Sequence, residues 1–142
     1  MSPTRAAKPA ADVIEDLVAA ARKVRKRAYA PYSGFHVGAA VLAEGRIYSG
    51  VNVENASYPL SVCAERNAVA AAVAAGKRSI SAVAVVAGDK DPTPPCGGCR
   101  QVLHEFDGEM LVVSESEDGR RAEWVLRSLL PAAFEGSVLG RE

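Results

Sequence analysis

Residues 80–87 read Ile80-Ser81-Ala82-Val83-Ala84-Val85-Val86-Ala87, a run of small and β-branched side chains with no polar face. A strand covered on both sides requires such a run, so it predicts the centre of a sheet. Toward the N-terminus, Ala64 to Ala75 forms an alanine-rich helix stopped by Gly76. Before it, Val37, Ala39 and Val41 alternate as in a half-buried strand, Glu44-Gly45 turns, and Arg46 to Val53 returns to complete a hairpin. Pro31, Ser33 and Gly34 make the turn that separates the hairpin from a first helix over residues 12–29. There Ile14, Leu17, Val18, Ala21 and Val24 recur at helical spacing behind an Asp12/Glu15 capping box. Toward the C-terminus, Gly88 to Pro95 is a polar loop, Gly97 to Phe106 a short helix and Met110 to Val113 a strand. A last helix, near Glu123 to Leu130, ends at Pro131. Strands interleaved with helices predict an α/β fold, its helices packed on a mixed sheet.

The chain has 142 residues, 49% of them hydrophobic, which suits one compact core. Residues 1–10 carry no periodic apolar face and are expected to be a loose tail, leaving residues 11–142 as a single domain. Lys plus Arg number 17, as do Asp plus Glu, so no net field attracts nucleic acid or an acidic membrane surface. The basic residues Arg22, Lys23, Arg25, Lys26 and Arg27 complement the negative end of the first helix instead. A small, weakly charged ligand is the expectation. No run approaches the roughly twenty apolar residues of a membrane helix, and Met1 to Ala10 lacks the apolar centre of a secretory signal, so a cytoplasmic location is expected.

Three cysteines are an odd number, which rules out a complete set of disulfides within the chain. All three open predicted helices, in Cys63-Ala64-Glu65 and in Pro95-Cys96-Gly97-Gly98-Cys99. A helix N-terminus stabilises thiolate, and Cys96 and Cys99, one turn apart, can converge on one point. Three sulfur ligands suit zinc and leave one tetrahedral position open for water, which marks a catalytic rather than a structural metal. Three thiolates overcompensate a dication, and Arg66 is placed to donate hydrogen bonds to a ligand sulfur and offset the excess. Glu65 lies two residues from Cys63, near the metal without binding it, as a proton carrier must be. A redox pair or half of a structural zinc site are the alternatives for Cys96 and Cys99, but there is no fourth cysteine. His36 and His104 lie at no ligand spacing and read as packing or surface residues.

A metal ligand two residues before a glutamate, followed by Pro-Cys-x-x-Cys, is the pattern of zinc nucleobase deaminases, with cysteine here in place of the commoner histidine. The chain resembles the small homotetrameric cytidine deaminases from about Tyr29 to Leu139. The blocks that carry the likeness, in order, are Tyr32-Ser33-Gly34-Phe35, Val37-Gly38-Ala39-Ala40, Asn52-Val53-Glu54-Asn55-Ala56-Ser57-Tyr58, Cys63-Ala64-Glu65-Arg66 and Pro95-Cys96-Gly97-Gly98-Cys99-Arg100-Gln101. The resemblance implies a three-layer fold, a five-stranded mixed sheet between helices, with one zinc per subunit and active sites completed by neighbouring subunits. It assigns Phe35 to stacking on the pyrimidine, Asn52 and Glu54 to the ribose hydroxyls, and the Ala64 N–H to cytosine O2. Phe134 would reach the ring from another subunit, although Glu135 follows it where many relatives have glycine. Tyr58 is either an interface residue or part of a neighbour's pocket.

These readings imply hydrolytic deamination of free cytidine and 2′-deoxycytidine in pyrimidine salvage. Three alternatives stand beside it. One is a deaminase of a related aminopyrimidine nucleoside such as blasticidin S. Another is an editing enzyme acting on polynucleotide, which the neutral charge and few aromatics disfavour. The third is a noncatalytic zinc-stabilised binding module.

Overall fold

The computed structural model describes residues 8–140. Helix α1 (Ala11–Arg25) leads into the hairpin β1 (Val37–Ala43) and β2 (Arg46–Val51), a 3-10 turn at Tyr58–Leu60, and helix α2 (Ala64–Ala74). Strand β3 (Ala82–Ala87), helix α3 (Gly97–His104), strands β4 (Leu111–Glu115) and β5 (Arg121–Val125), and the short α4 (Leu126–Leu129) complete the order before a second 3-10 turn at Gly136–Leu139. The five strands form one mixed sheet in the order β2-β1-β3-β4-β5. β3 is its middle strand, antiparallel to β1 and parallel to β4, and every residue of it is buried.

Successive side chains on a strand point to opposite faces, and this divides the core in two. Ala40, Leu42, Ala82, Ala84, Val86 and Val113 pack with α1. Their neighbours Ala39, Val41, Val83, Val85 and Val112 face the other way, with Ala68, Val69 and Ala72 of α2 and Leu103 of α3. The result is the three-layer α/β arrangement, a five-stranded mixed sheet between helices. Alanine and glycine on the strands let the helices come close. A Cβ on Gly38 would lie 2.0 Å from the Ala21 carbonyl oxygen of α1, and one on Gly50 would lie 2.4 Å from the Ala68 nitrogen of α2.

Three features differ from the sequence expectation, two of them in α1. Helix α1 ends at Arg25 rather than at residue 29, because the following chain is drawn onto the sheet edge: Tyr29 N–H donates to the Asn52 carbonyl and Glu54 N–H to the Tyr29 carbonyl, both at 2.9 Å. The capping box does not form. Ala10 is the N-cap without a side-chain bond, Asp12 accepts from its neighbour Val13, and Glu15 is held by Arg121 across the surface. Residues 121–125, assigned in part to the last helix, are the edge strand β5, in register with β4 from Leu111↔Val125 to Glu115↔Arg121. Of the tail expected over residues 1–10, residues 1–7 lie outside the described residues, and Lys8 donates to Glu123 at 2.8 Å.

Two of the basic residues at the end of α1 bind within the fold. Arg22 makes two bonds to the Glu115 carboxylate, at 2.8 and 2.6 Å, and Arg25 donates to the His36 carbonyl at 2.9 Å. Among the described residues no helix is long and apolar enough to cross a membrane.

Candidate metal centre and substrate cavity

Two helices on the same face of the sheet deliver the three sulfurs. Cys63 is the N-cap of α2. Cys96 is the N-cap of α3 and its Sγ accepts the Cys99 N–H, so the loop and first turn of α3 close around both thiols. The entry to α3 is braced by Arg100, which donates to the Pro95 carbonyl at 2.7 Å and to the Leu129 carbonyl at 2.8 Å. Sγ of Cys63 lies 3.7 Å from that of Cys96, and Sγ of Cys96 lies 3.4 Å from that of Cys99. All three lie within 4.8 Å of one another, and no disulfide links them.

A zinc–sulfur bond of about 2.3 Å at the tetrahedral angle separates ligand sulfurs by roughly 3.8 Å, so the donor set fits zinc in both chemistry and spacing. Neither His36 nor His104 joins the group. His36 Nδ1 lies 3.0 Å from the Gly34 carbonyl oxygen, and His104 Nε2 lies 3.0 Å from Glu135 Oε1.

A hydrogen bond from Cys99 holds the Cys63 thiol down at about 5 against the resistance of burial, and Arg66 adds to the effect. Donating that bond raises Cys99, and its burial does the same. The Arg66 guanidinium donates to Cys63 Sγ at 3.5 Å. Arg66 Nε is buried with no hydrogen-bond partner among the described residues. The Glu65 side chain, on the first turn of α2, is buried. Burial pushes its carboxyl up to about 7, its own backbone N–H opposes this, and the neighbouring Cys63 charge reinforces it. Ala64 opens the same helix and is fully buried; its N–H is one of the first-turn donors that a helix cannot satisfy internally.

The remaining candidates divide into two groups. Phe35, Asn52, Glu54 and Tyr58 lie around the turn that follows α1 and the strand that leads to α2. Asn52 clamps the start of β1, accepting from Val37 N–H at 2.9 Å and donating to the Phe35 carbonyl at 2.8 Å. Glu54 Oε1 accepts from Tyr32 N–H at 3.0 Å and Ser33 N–H at 3.1 Å, and Oε2 accepts from the Ser33 hydroxyl. Those bonds, that of the Ser33 hydroxyl foremost, hold its carboxyl below the usual range. A cavity of about 290 Å³ is lined by Tyr32, Ser33, Glu54, Tyr58 and Ser61, and Tyr32 meets Tyr58 edge-on with ring centroids 6.0 Å apart. Phe134 is elsewhere, exposed, its carbonyl held by Gln101 at 2.8 Å. It lines a different cavity with His104, Glu135 and Gly136. Within one chain the structure does not bring Phe134 to the Phe35 group. Ser33 received no role from the sequence, although it stands in the quoted block two residues before Phe35; a hydroxyl at that spacing from an aromatic in a glycine turn was the available signal.

Three sulfurs within 4.8 Å of one another, with a buried carboxyl beside them, form a group that can hold zinc, carried on a three-layer α/β fold. Residues 12–115 match the family described as the cytidine and deoxycytidylate deaminase zinc-binding region. The chain is 50% identical over 123 residues to the cytidine deaminase of Sporosarcina psychrophila, across 85% of this chain and 90% of that protein. Among solved structures it is similar to cytidine deaminase from Burkholderia pseudomallei, with 45% identity, a TM-score of 0.82 and coverage of 84% of this chain and 98% of that one. The structure of cytidine deaminase from Mycobacterium tuberculosis is similar at 41% identity and a TM-score of 0.75, over 85% of this chain and 96% of that one. The chain belongs to the cytidine and deoxycytidylate deaminase family.

Proposed function

We propose that the protein hydrolyses the C4 amino group of cytidine and 2′-deoxycytidine, giving uridine or 2′-deoxyuridine and ammonia, as a cytoplasmic enzyme of pyrimidine salvage. The observation that carries this reading is the convergence of Cys63, Cys96 and Cys99 beside the buried Glu65. Cys63, Cys96 and Cys99 would hold zinc, which would supply a Lewis acid that makes water nucleophilic near neutral pH. Glu65 takes a proton from the attacking water and gives it to ring N3, which makes C4 electrophilic. It then takes up the second proton of that water, from the hydroxyl now on C4, and passes it to the departing amine, so that the C4–N bond breaks, ammonia leaves and the C4 carbonyl forms. A carboxyl held near neutrality by burial suits both halves of this transfer. Arg66 steadies the Cys63 thiolate and offsets the negative charge of the sulfur set.

Phe35 stacks on the pyrimidine, and the Ala64 N–H donates to O2 of the ring. Glu54 and Asn52 read the sugar hydroxyls. Glu54 Oε2 keeps room for one donor beyond Ser33, and the Asn52 amide keeps one hydrogen and one lone pair beyond its backbone bonds. Tyr58 and Phe134 are exposed and serve the pocket of a neighbouring subunit in a homotetramer. Turnover of cytidine, 2′-deoxycytidine, blasticidin S and a single-stranded oligonucleotide tests the reading. Conversion of the two nucleosides with little of the others supports it, and preference for the antibiotic or the oligonucleotide overturns it.

A further inference from the structure

The turn between α1 and β1 contains a connection that the metal centre does not explain. The Ser33 hydroxyl donates to Glu54 Oε2 and accepts the Phe35 N–H at 3.0 Å. Among the described residues it is the side chain bonded both to Glu54 and to the Phe35 backbone. Around it each partner is fixed a second time. Glu54 Oε1 takes the Tyr32 and Ser33 N–H groups, and the Phe35 carbonyl takes the Asn52 amide. Gly34, with φ of 70°, makes the turn possible, and its N–H bonds to the Ala30 carbonyl at 2.9 Å.

Ser33 and Phe35 are exposed, and Glu54 is partly so. Exposed hydrogen bonds of this kind contribute little to folding, because water replaces either partner. A hydroxyl with its donor on one group and its lone pair on the other does something else: it fixes the distance and direction from the carboxylate to the aromatic. It also opens on the 290 Å³ cavity that Glu54, Tyr32, Tyr58 and Ser61 share with it.

We propose that Ser33 is a positioning residue that sets sugar specificity, by locking the Glu54 carboxylate to the Phe35 peptide so that a sugar hydroxyl is read in register with the stacked base. This rests on the assignment of Glu54 to the sugar and Phe35 to the ring given above. Without the hydroxyl, Glu54 keeps its two backbone donors on Oε1, but Oε2 is free to turn toward water and the Phe35 N–H loses its acceptor.

The test is kcat/KM of the zinc-replete enzyme on cytidine and on 2′,3′-dideoxycytidine, which lacks the hydroxyls at stake, for wild type, Ser33→Ala, Ser33→Thr and Glu54→Gln. Zinc content and thermal midpoint serve as controls for folding. Ser33→Ala loses about tenfold on cytidine, mostly through KM, the size of one hydrogen bond to a charged group. It loses under about twofold on the dideoxynucleoside, and Ser33→Thr, which keeps the hydroxyl, recovers most of the cytidine rate. Equal losses on the two substrates, or a threonine variant as impaired as the alanine one, overturn the proposal. A Glu54→Gln enzyme that discriminates between the substrates as wild type does places the failure in the sugar assignment of Glu54 itself, and overturns action of Ser33 through it. Should Ser33→Ala not accumulate, Ser33→Gly also lacks the hydroxyl and takes its place.

Discussion

Replacing Gly50 by alanine adds one methyl group where β2 crosses under α2, and the structure gives that group no space. Its Cβ would lie 2.4 Å from the Ala68 nitrogen, 2.7 Å from the Ala64 carbonyl oxygen and 2.8 Å from the Asn67 carbonyl carbon, all of them backbone atoms of α2. Ordinary contact begins at 3.4 Å, so α2 must retreat by about 1 Å, since no rotamer change relieves a backbone clash. The N-terminus of that helix carries Cys63, Glu65 and Arg66, whereas Cys96 and Cys99 ride on α3. Zinc tolerates deviations of about 0.2 Å in its ligand distances, so a shift of that size breaks the three-sulfur geometry. Overpacking costs about 1–3 kcal/mol, which lowers the thermal midpoint on the order of 3–10 °C in a chain of this length. Misplacement of the proton carrier by about 1 Å costs on the order of a hundredfold in turnover. Calorimetry, metal analysis and steady-state kinetics on purified Gly50→Ala read all three effects. A variant with wild-type midpoint, full zinc and unchanged turnover would refute the claim that the Gly50 contact sets the position of the site.

Two further outcomes are expected. Arg66→Gln removes the donor on Cys63 Sγ and weakens zinc binding by about 10–100-fold, measured by competition with a chelator of known affinity; unchanged affinity would show the contact to be incidental. Glu65 has a folded-state pKa of about 7, above its ordinary 4.5, so the metal-free folded chain binds the extra proton between those values and loses stability as pH rises through them. Glu65→Gln should therefore stabilise the chelated protein by about 3 kcal/mol near pH 8 and by little near pH 4. Urea unfolding at the two pH values checks this, and an equal gain at both would contradict burial as the cause.

The central strand was legible because residues 82–87 have nothing polar to show to water on either face. The metal centre was legible for a similar reason, since thiols at two helix starts have few uses that do not bring them together. Strand β5 was not. Leu126, Leu129 and Leu130, just after it, fit a helical period, and in so short a segment the period cannot decide where the helix begins. The unused signal was the turn before the strand, where Gly119 has φ of 91° and returns the chain alongside β4. The end of α1 was hidden because the bonds of Tyr29 and Glu54 that stop the helix join residues distant in sequence. Asn52 and Glu54 were assigned to the sugar by likeness alone, and no pattern in the sequence shows that both also clamp the turn carrying Phe35. Phe134 cannot be tied to the pocket by one chain, because its surroundings here are His104 and Glu135.

Side-by-side metal analysis and ultraviolet absorbance of cytidine incubated with zinc-replete wild type and Glu65→Gln test the account most directly. The expected result is one zinc per chain in both proteins, conversion to uridine by wild type, and turnover at least about a hundredfold slower in the variant. Near-equal turnover by the variant, or no conversion by a fully zinc-loaded wild type, would contradict it.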